Sequence, residues 1–151
     1  RHMGEEAVGV VTAHVYTPEL KRTENERFVA AFQKRFGRVP SYFAEAMYTA
    51  ALWIDQATRI SGWPANAVVL PELLRRHAVQ NAPRGPLSLD AYNNTVETVY
   101  VRRVVMGARR PQNEVIATIP RVSQFWKWEA REYLRRPPYT KDYPPCRFCE
   151  R

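Results

Sequence analysis

The side chains that could do chemistry are few in this sequence, and they are widely spaced. Three histidines, His2, His14 and His77, lie far apart, and none belongs to an H-x-x-x-H or comparable metal-binding pair. His14 stands at the end of a β-branched stretch, where it could serve as a ligand contact, a base or a satisfied surface group. Asp55, Asp90 and Glu97 are carboxylates without a partner at a spacing that implies general acid–base work. No G-x-G-x-x-G, P-loop or G-x-S-x-G pattern occurs, and SGW and RGP read as turns. Cys146 and Cys149 form one C-x-x-C close to the end of the chain. A zinc site needs further ligands, and a thioredoxin-like pair belongs at a helix start after a strand. The pair therefore reads as a terminal disulfide or two free thiols, and its even number is compatible with an oxidising compartment. The sequence thus predicts no catalytic residue, no metal and no cofactor.

Composition narrows the class. Hydrophobic residues make up 45% of the 151, enough for a core in one domain or a large piece of one. No run of about 18 apolar residues exists to span a membrane. The opening RHMGEEAVGV also lacks the apolar stretch of a signal peptide, so either the protein is cytoplasmic or the start of a precursor is absent. The net charge of +8 is unevenly placed. Residues 1–101 carry 11 basic and 10 acidic residues, a balance of +1; residues 102–151 carry 12 and 5, a balance of +7. Such a segment is either a solvated basic surface or a contact for nucleic acid, anionic lipid or an acidic protein. The pairs Arg102-Arg103, Arg109-Arg110 and Arg135-Arg136, with Trp126, Trp128 and Tyr133 nearby, mix charge and rings as nucleic-acid surfaces do. Yet no nucleic-acid motif accompanies them, and strand alternation puts Arg102 and Arg103 on opposite faces. Nucleic acid is not expected as the partner.

The elements that must position any site follow from periodicity. A strand is predicted at about Val8–Thr12. Thr23 and Glu26 are spaced as a capping box before a helix whose Phe28, Phe32 and Phe36 share one face. Gly37 and Pro40 end that helix. Ser41 then caps a second helix from Tyr42 to about Ile60, closed by Gly62 and Pro64. Its polar residues Glu45, Thr49, Gln56 and Arg59 fall on a narrow stripe, which predicts a helix buried on several sides. A third helix fits VVLPELLRRHAV, a short strand follows in APRGPLSLD, and two runs joined by GARRPQ form a hairpin. The tail starts amphipathic at Gln124 and ends in proline-punctuated coil. This is an α/β order, but the leading strand has few strands to pair with.

Three stretches, in order, resemble one family: GEEAVGVVTAHVYTPE, NERFVAAFQKRFGRVPSYFAEAMYTAALWIDQATRISG and LPELLRRHAVQNAPRGPLSLDAYNN. Together they resemble the C-terminal portion of the type 1 periplasmic binding proteins. The nearest kinds are the leucine/isoleucine/valine-binding and amide- or urea-binding receptors of ABC transporters. The resemblance covers about residues 4–120. It implies a C-terminal fragment of an α/β, two-lobed, Rossmann-like fold, with residues 1–120 in that domain and 121–151 a basic, aromatic and Pro-rich tail. It also implies a substrate-binding component that closes its lobes on a small polar solute without catalysis. The solute would be a branched-chain amino acid, an amide, urea or an aromatic acid.

The implied partners are the solute, the permease subunits of the transporter and the missing N-terminal lobe region, with self-association of the fragment. The implied location is periplasmic or extracellular. In amino-acid-binding members an aromatic upstream of the Tyr of this helix packs on the ligand side chain. Here that Tyr is Tyr48 and the aromatic is Phe43, with Tyr42 adjacent. His14 and Tyr16 follow the leading strand, on the side where ligands meet strand ends. The residues alone leave Phe43 open between ligand contact and core. Two rival readings are a basic interaction module acting through residues 102–151 and a cytoplasmic ligand sensor of the same fold.

Overall fold

The longest β-branched run in the chain, Thr95–Met106, becomes the strand that all the others pair with. The computed structural model describes residues 4–62, 68–108, 110–140, 142 and 145. Cys146, Cys149, His2, Pro64 and Arg109 lie outside the described residues. The strands are β1 (Val11–His14), β2 (Leu87–Leu89), β3 (Thr95–Met106) and β4 (Pro111–Val122), and the helices are α1 (Thr23–Phe36), α2 (Tyr42–Ser61), α3 (Val69–Arg76) and α4 (Ala130–Leu134). A short 3-10 turn, Glu5–Ala7, precedes β1. The result is a mixed α/β unit with an antiparallel sheet.

β3 carries β4 along one edge, with β1 and β2 end to end along the other. His14 stands opposite Tyr100, and Leu87 opposite Glu97. The leading strand, expected to have few strands to pair with, pairs with residues 86 to 92 positions downstream, which local periodicity cannot reveal. It also begins later than the predicted Val8–Thr12, because Gly9 adopts φ 91° ahead of it. The expected hairpin forms, closed by a bond from Gly107 N to Arg110 O. Both register shifts against β3 fall on β4, at Ile116 and near Arg121 (φ 55°). Bulges and a proline on an edge strand discourage pairing with other chains.

The helices meet the sheet through two apolar clusters. Tyr16, Leu20, Phe28 and Tyr100 form one, under α1. Trp53, Val79, Ala82 and Leu87 form the other, between α2 and β2. Phe28, Phe32 and Phe36 stack along α1 as expected, though only Phe28 is buried. The predicted capping box does not form. Thr23 is already helical, Arg22 takes the N-cap position without a side-chain bond, and the Glu26 N–H reaches the Arg22 carbonyl. Buried Asn25 fastens this end instead. Its amide donates to the carbonyls of Pro18 (3.0 Å) and Leu20 (2.9 Å), and its Oδ1 accepts the Tyr16 hydroxyl (3.0 Å).

α2 is capped by Ser41 as expected, its Oγ accepting from Ala44 N at 3.3 Å. Its burial, however, is the inverse of the prediction. The face Glu45, Thr49, Trp53, Ala57 turns inward, while Phe43, Met47, Ile54 and Ile60 are exposed. The cause is Arg84, itself buried. Its guanidinium binds Glu45 through Nε (2.7 Å) and Nη2, and Glu97 through Nη1 (3.0 Å). Thr49 donates to the free oxygen of Glu45 (2.6 Å), and Thr95 does the same for Glu97 (2.9 Å). Glu97, expected to be isolated, thus has two partners. Asp55 likewise pairs with Arg59, and Asp90 accepts the N–H groups of Tyr92 and Asn94.

Farther along α2, Trp53 Nε1 donates to His77 O at 2.7 Å. The tail also packs back: Phe125 is buried between the rings of Tyr92 and Tyr133, whereas Trp126 and Leu134 stay exposed.

Two stability outcomes follow. Arg84→Met strands the fully buried Glu45 charge and should cost about 3–5 kcal/mol in denaturant unfolding. Adding Glu45→Met should recover much of that loss, so a double variant no better than the single refutes the ion-pair account. Gly85 has φ 107°, and a Cβ there would sit 3.3 Å from the Tyr100 hydroxyl. Gly85→Ala should therefore cost roughly 1–3 kcal/mol, read as a lowered Tm.

Candidate functional site

β1 ends at His14, and the chain must turn there to reach α1. Tyr16 N–H closes that turn by donating to His14 Nδ1 at 3.3 Å. A neutral His14 therefore carries its hydrogen on the other ring nitrogen, Nε2. The ring is half-buried and meets the Tyr42 ring edge to face, with centroids 4.7 Å apart at 83°. Tyr42 opens α2, directly after the Ser41 cap, so its position is fixed by the start of the helix. The Arg84 guanidinium lies over the same ring, 5.1 Å from its centroid. Phe43 continues the row, 5.4 Å from Tyr42, and is 76% exposed.

The structure thus brings His14, Tyr42 and Phe43 into one line of rings. Tyr16 is next to His14 along the backbone, but its side chain runs into the core, where its hydroxyl is bound to Asn25. Burial, with the nearby charges of Glu45 and Glu19, raises the Tyr16 pKa and keeps the phenol neutral.

Two guanidiniums lie beside this row, Arg84, which the sequence did not single out, and Arg102, which it offered only as part of a basic surface. Burial opposes the charge on Arg84, but the bonds and charges of Glu45 and Glu97 outweigh it and raise its pKa. Arg102 differs. Its Nη1 donates to Tyr16 O (2.7 Å) and its Nη2 to Thr12 Oγ1 (3.1 Å), and its buried Nε has no hydrogen-bond partner among the described residues. Burial lowers its pKa, with Glu19 opposing, and arginine remains charged regardless. His14 feels both cations. Burial is the largest cause holding its pKa below the ordinary value, followed by Arg102 and Arg84, while Glu97 pulls the other way. The backbone of Tyr16 also pulls upward, but less than burial and the two cations push down.

The sequence did carry one signal for the inward face. Glu45 and Thr49 stand at i, i+4, in line with Trp53 and Ala57. Arg84, in a Pro-Arg-Gly-Pro turn, carried none. Elsewhere, a groove of about 610 Å3 runs between Leu20–Arg22 and the β3–β4 face, lined by Tyr100, Gln112 and Val115 among others. It holds none of the four expected residues. A second, apolar groove of about 390 Å3 lies between α1 and α2, lined by Phe28, Phe32, Phe36 and Tyr48. Of the basic pairs, Arg102 turns onto β1 while Arg103 is exposed, and Arg136 lies 4.0 Å over the Trp128 ring.

Comparison with known proteins gives this arrangement a context. The solute-binding protein of an ABC transporter from Rhodopseudomonas palustris BisB5, solved with 3,4-dihydroxybenzoic acid, is 31% identical, with a TM-score of 0.76 over 81% of this chain and 34% of that one. An ABC transporter substrate-binding protein from Sphaerobacter thermophilus is 29% identical, with a TM-score of 0.72 over 78% of this chain and 33% of that one. A solute-binding protein from R. palustris in complex with benzoate is 25% identical, with a TM-score of 0.67 over 82% and 33%. The chain spans about a third of the length of these structures. No curated protein matches it. The family model described as periplasmic binding protein matches residues 2–109, and the chain belongs to that family.

Proposed function

We propose that the chain forms part of the substrate-binding component of an ABC transporter, and that its solute is a small aromatic acid. The observation that carries this reading is the row of rings at the start of α2. Tyr42 and Phe43 offer π-faces on a rigid helix start, half-buried His14 offers a polar edge, and the Arg102 guanidinium, which no carboxylate pairs among the described residues, supplies positive potential beside His14. An anion with an aromatic body matches that chemistry. The solved relatives that hold 3,4-dihydroxybenzoic acid and benzoate support the same choice.

In this reading His14, Tyr42 and Phe43 line the solute, and Tyr16 holds His14 from behind. Binding is by lobe closure, with no bond made or broken, and the closed form docks on permease subunits. The working location is periplasmic. The exposed apolar faces of α1 and α2 are where the rest of such a receptor would pack. A basic module acting through residues 102–151 is less well supported, because Arg102 is spent inside the sheet.

The test is a thermal-shift and calorimetry panel on the intact gene product with benzoate, 4-hydroxybenzoate, leucine, acetamide and urea. Benzoates should raise the Tm and the others should not; a response to leucine alone overturns the aromatic-acid reading. Phe43→Ala should weaken benzoate binding about tenfold, or about 1.4 kcal/mol. Because Phe43 is 76% exposed, its loss should change ligand-free stability by less than about 0.5 kcal/mol. The reverse pattern would make Phe43 a packing residue.

A further inference from the structure

Resting on the aromatic-acid reading, we propose that His14 makes solute binding proton-linked: the anionic group of the solute sits beside the imidazole and draws a proton onto it.

The geometry supplies each part. His14 is half-buried at the end of β1, and among the described residues its Nδ1 is engaged only by the 3.3 Å contact from Tyr16 N–H. That bond is long for an N–H donor, so giving it up costs little. Every element packed around the ring contributes a charge or a titratable group. β3 brings Arg102 and Glu97, the turn before β2 brings Arg84, and α2 brings Glu45 and the Tyr42 phenol. The loop after β1 adds the phenol of Tyr16, held neutral in the core, and Glu19. Arg84 and its two carboxylates satisfy one another. Arg102 has backbone and hydroxyl partners, but no carboxylate within pairing distance among the described residues. Without solute, the local balance is therefore positive on the Arg102 side, and the ring stays neutral.

A carboxylate arriving there reverses the sign of the field at His14. An opposite charge within about 4–6 Å favours the protonated ring by about 1–3 pKa units. By linkage, affinity for an anionic solute must then rise as pH falls through the interval between the ligand-free and ligand-bound pKa values. An uncharged analogue of the same shape gains nothing. His14 is thus a specificity element, distinguishing an acid from its amide by a proton rather than by a fixed ion pair.

The experiment uses the intact gene product, with 4-hydroxybenzoate as the charged probe and 4-hydroxybenzamide as the neutral one. Titration calorimetry in two buffers of different ionisation heat counts protons taken up. Wild type should bind the benzoate at least about threefold more tightly at pH 5.5 than at pH 8, because the part of a shift of about 1–3 units that lies above pH 5.5 is read as affinity. Proton uptake should accompany that binding, and the benzamide should show no such slope. His14→Gln should bind the benzoate with the same affinity at both pH values and take up no proton. The His14 imidazole, followed by NMR, should titrate below its ordinary range without solute and move upward when the benzoate is added. Equal wild-type affinity at both pH values, or an unchanged slope in His14→Gln, overturns the proposal while leaving the receptor intact. Failure to bind any benzoate at either pH instead removes the aromatic-acid reading and the proposal with it.

Discussion

The Arg84 guanidinium is the constraint on which the rest of the arrangement hangs. It lies between α2 and β3 and joins Glu45 to Glu97. Its own carbonyl accepts the Tyr100 hydroxyl at 2.7 Å, which ties the turn to the cluster under α1. One residue thus links a helix, the central strand and an apolar cluster. Desolvating one cation and two carboxylates costs several kcal/mol per ion, so the triad is weak evidence for net stability. What it supplies is register. An apolar contact would let α2 rotate or slide on the sheet, because one aliphatic side chain replaces another at small cost. A guanidinium with two carboxylates, each held by a threonine, has one arrangement in which every polar atom is satisfied.

That register decides where the rings go. With Glu45 turned inward, Tyr42 at the first turn is carried over Arg84 and against His14. Phe43, one residue on, is rotated by about 100° to the outside, as 3.6 residues per turn requires. The exposed ring is therefore a consequence of the buried charge rather than an accident of an apolar sequence. The same geometry gives His14 its electrostatic setting, since Arg84 serves both as the anchor of α2 and as one of the cations that disfavour imidazolium.

Much of this fold could be read from the sequence. The Ser41 cap, the Gly37 stop, the Phe28–Phe32–Phe36 row and the turn of the hairpin all rest on interactions within a few residues, which spacing records directly. The α2 face could not be read in the same way. Apolar residues outnumber polar ones around that helix, and a count of hydrophobicity buries the majority. The structure buries the minority, because Glu45 and Thr49 meet a partner 39 residues away from Glu45. The capping box failed for a related reason. Thr23 and Glu26 had the right spacing, but Asn25 had better long-range partners in Tyr16, Pro18 and Leu20. Tyr42 and Phe43 were singled out through family resemblance to a helix start and His14 through its place after a strand end, whereas Arg84 and Arg102 act through contacts that no local pattern encodes.

The exposed rings also bear on how a ligand contact is told from core in a chain that spans a third of its relatives. Exposure alone does not separate the two, since Met47, Ile54 and Ile60 on the same helix are exposed as well. Those side chains are aliphatic and suit a packed surface. Phe43 belongs to a different company. It continues a row in which the next ring lies beneath a guanidinium and the one after is an imidazole disfavoured as a cation. A protein surface that covered this row would desolvate Arg102 further without offering it a carboxylate, a cost that packing energy must offset. Under the proposed function, a small anion with an aromatic body would cover the rings and supply the charge together, which another apolar helix would not.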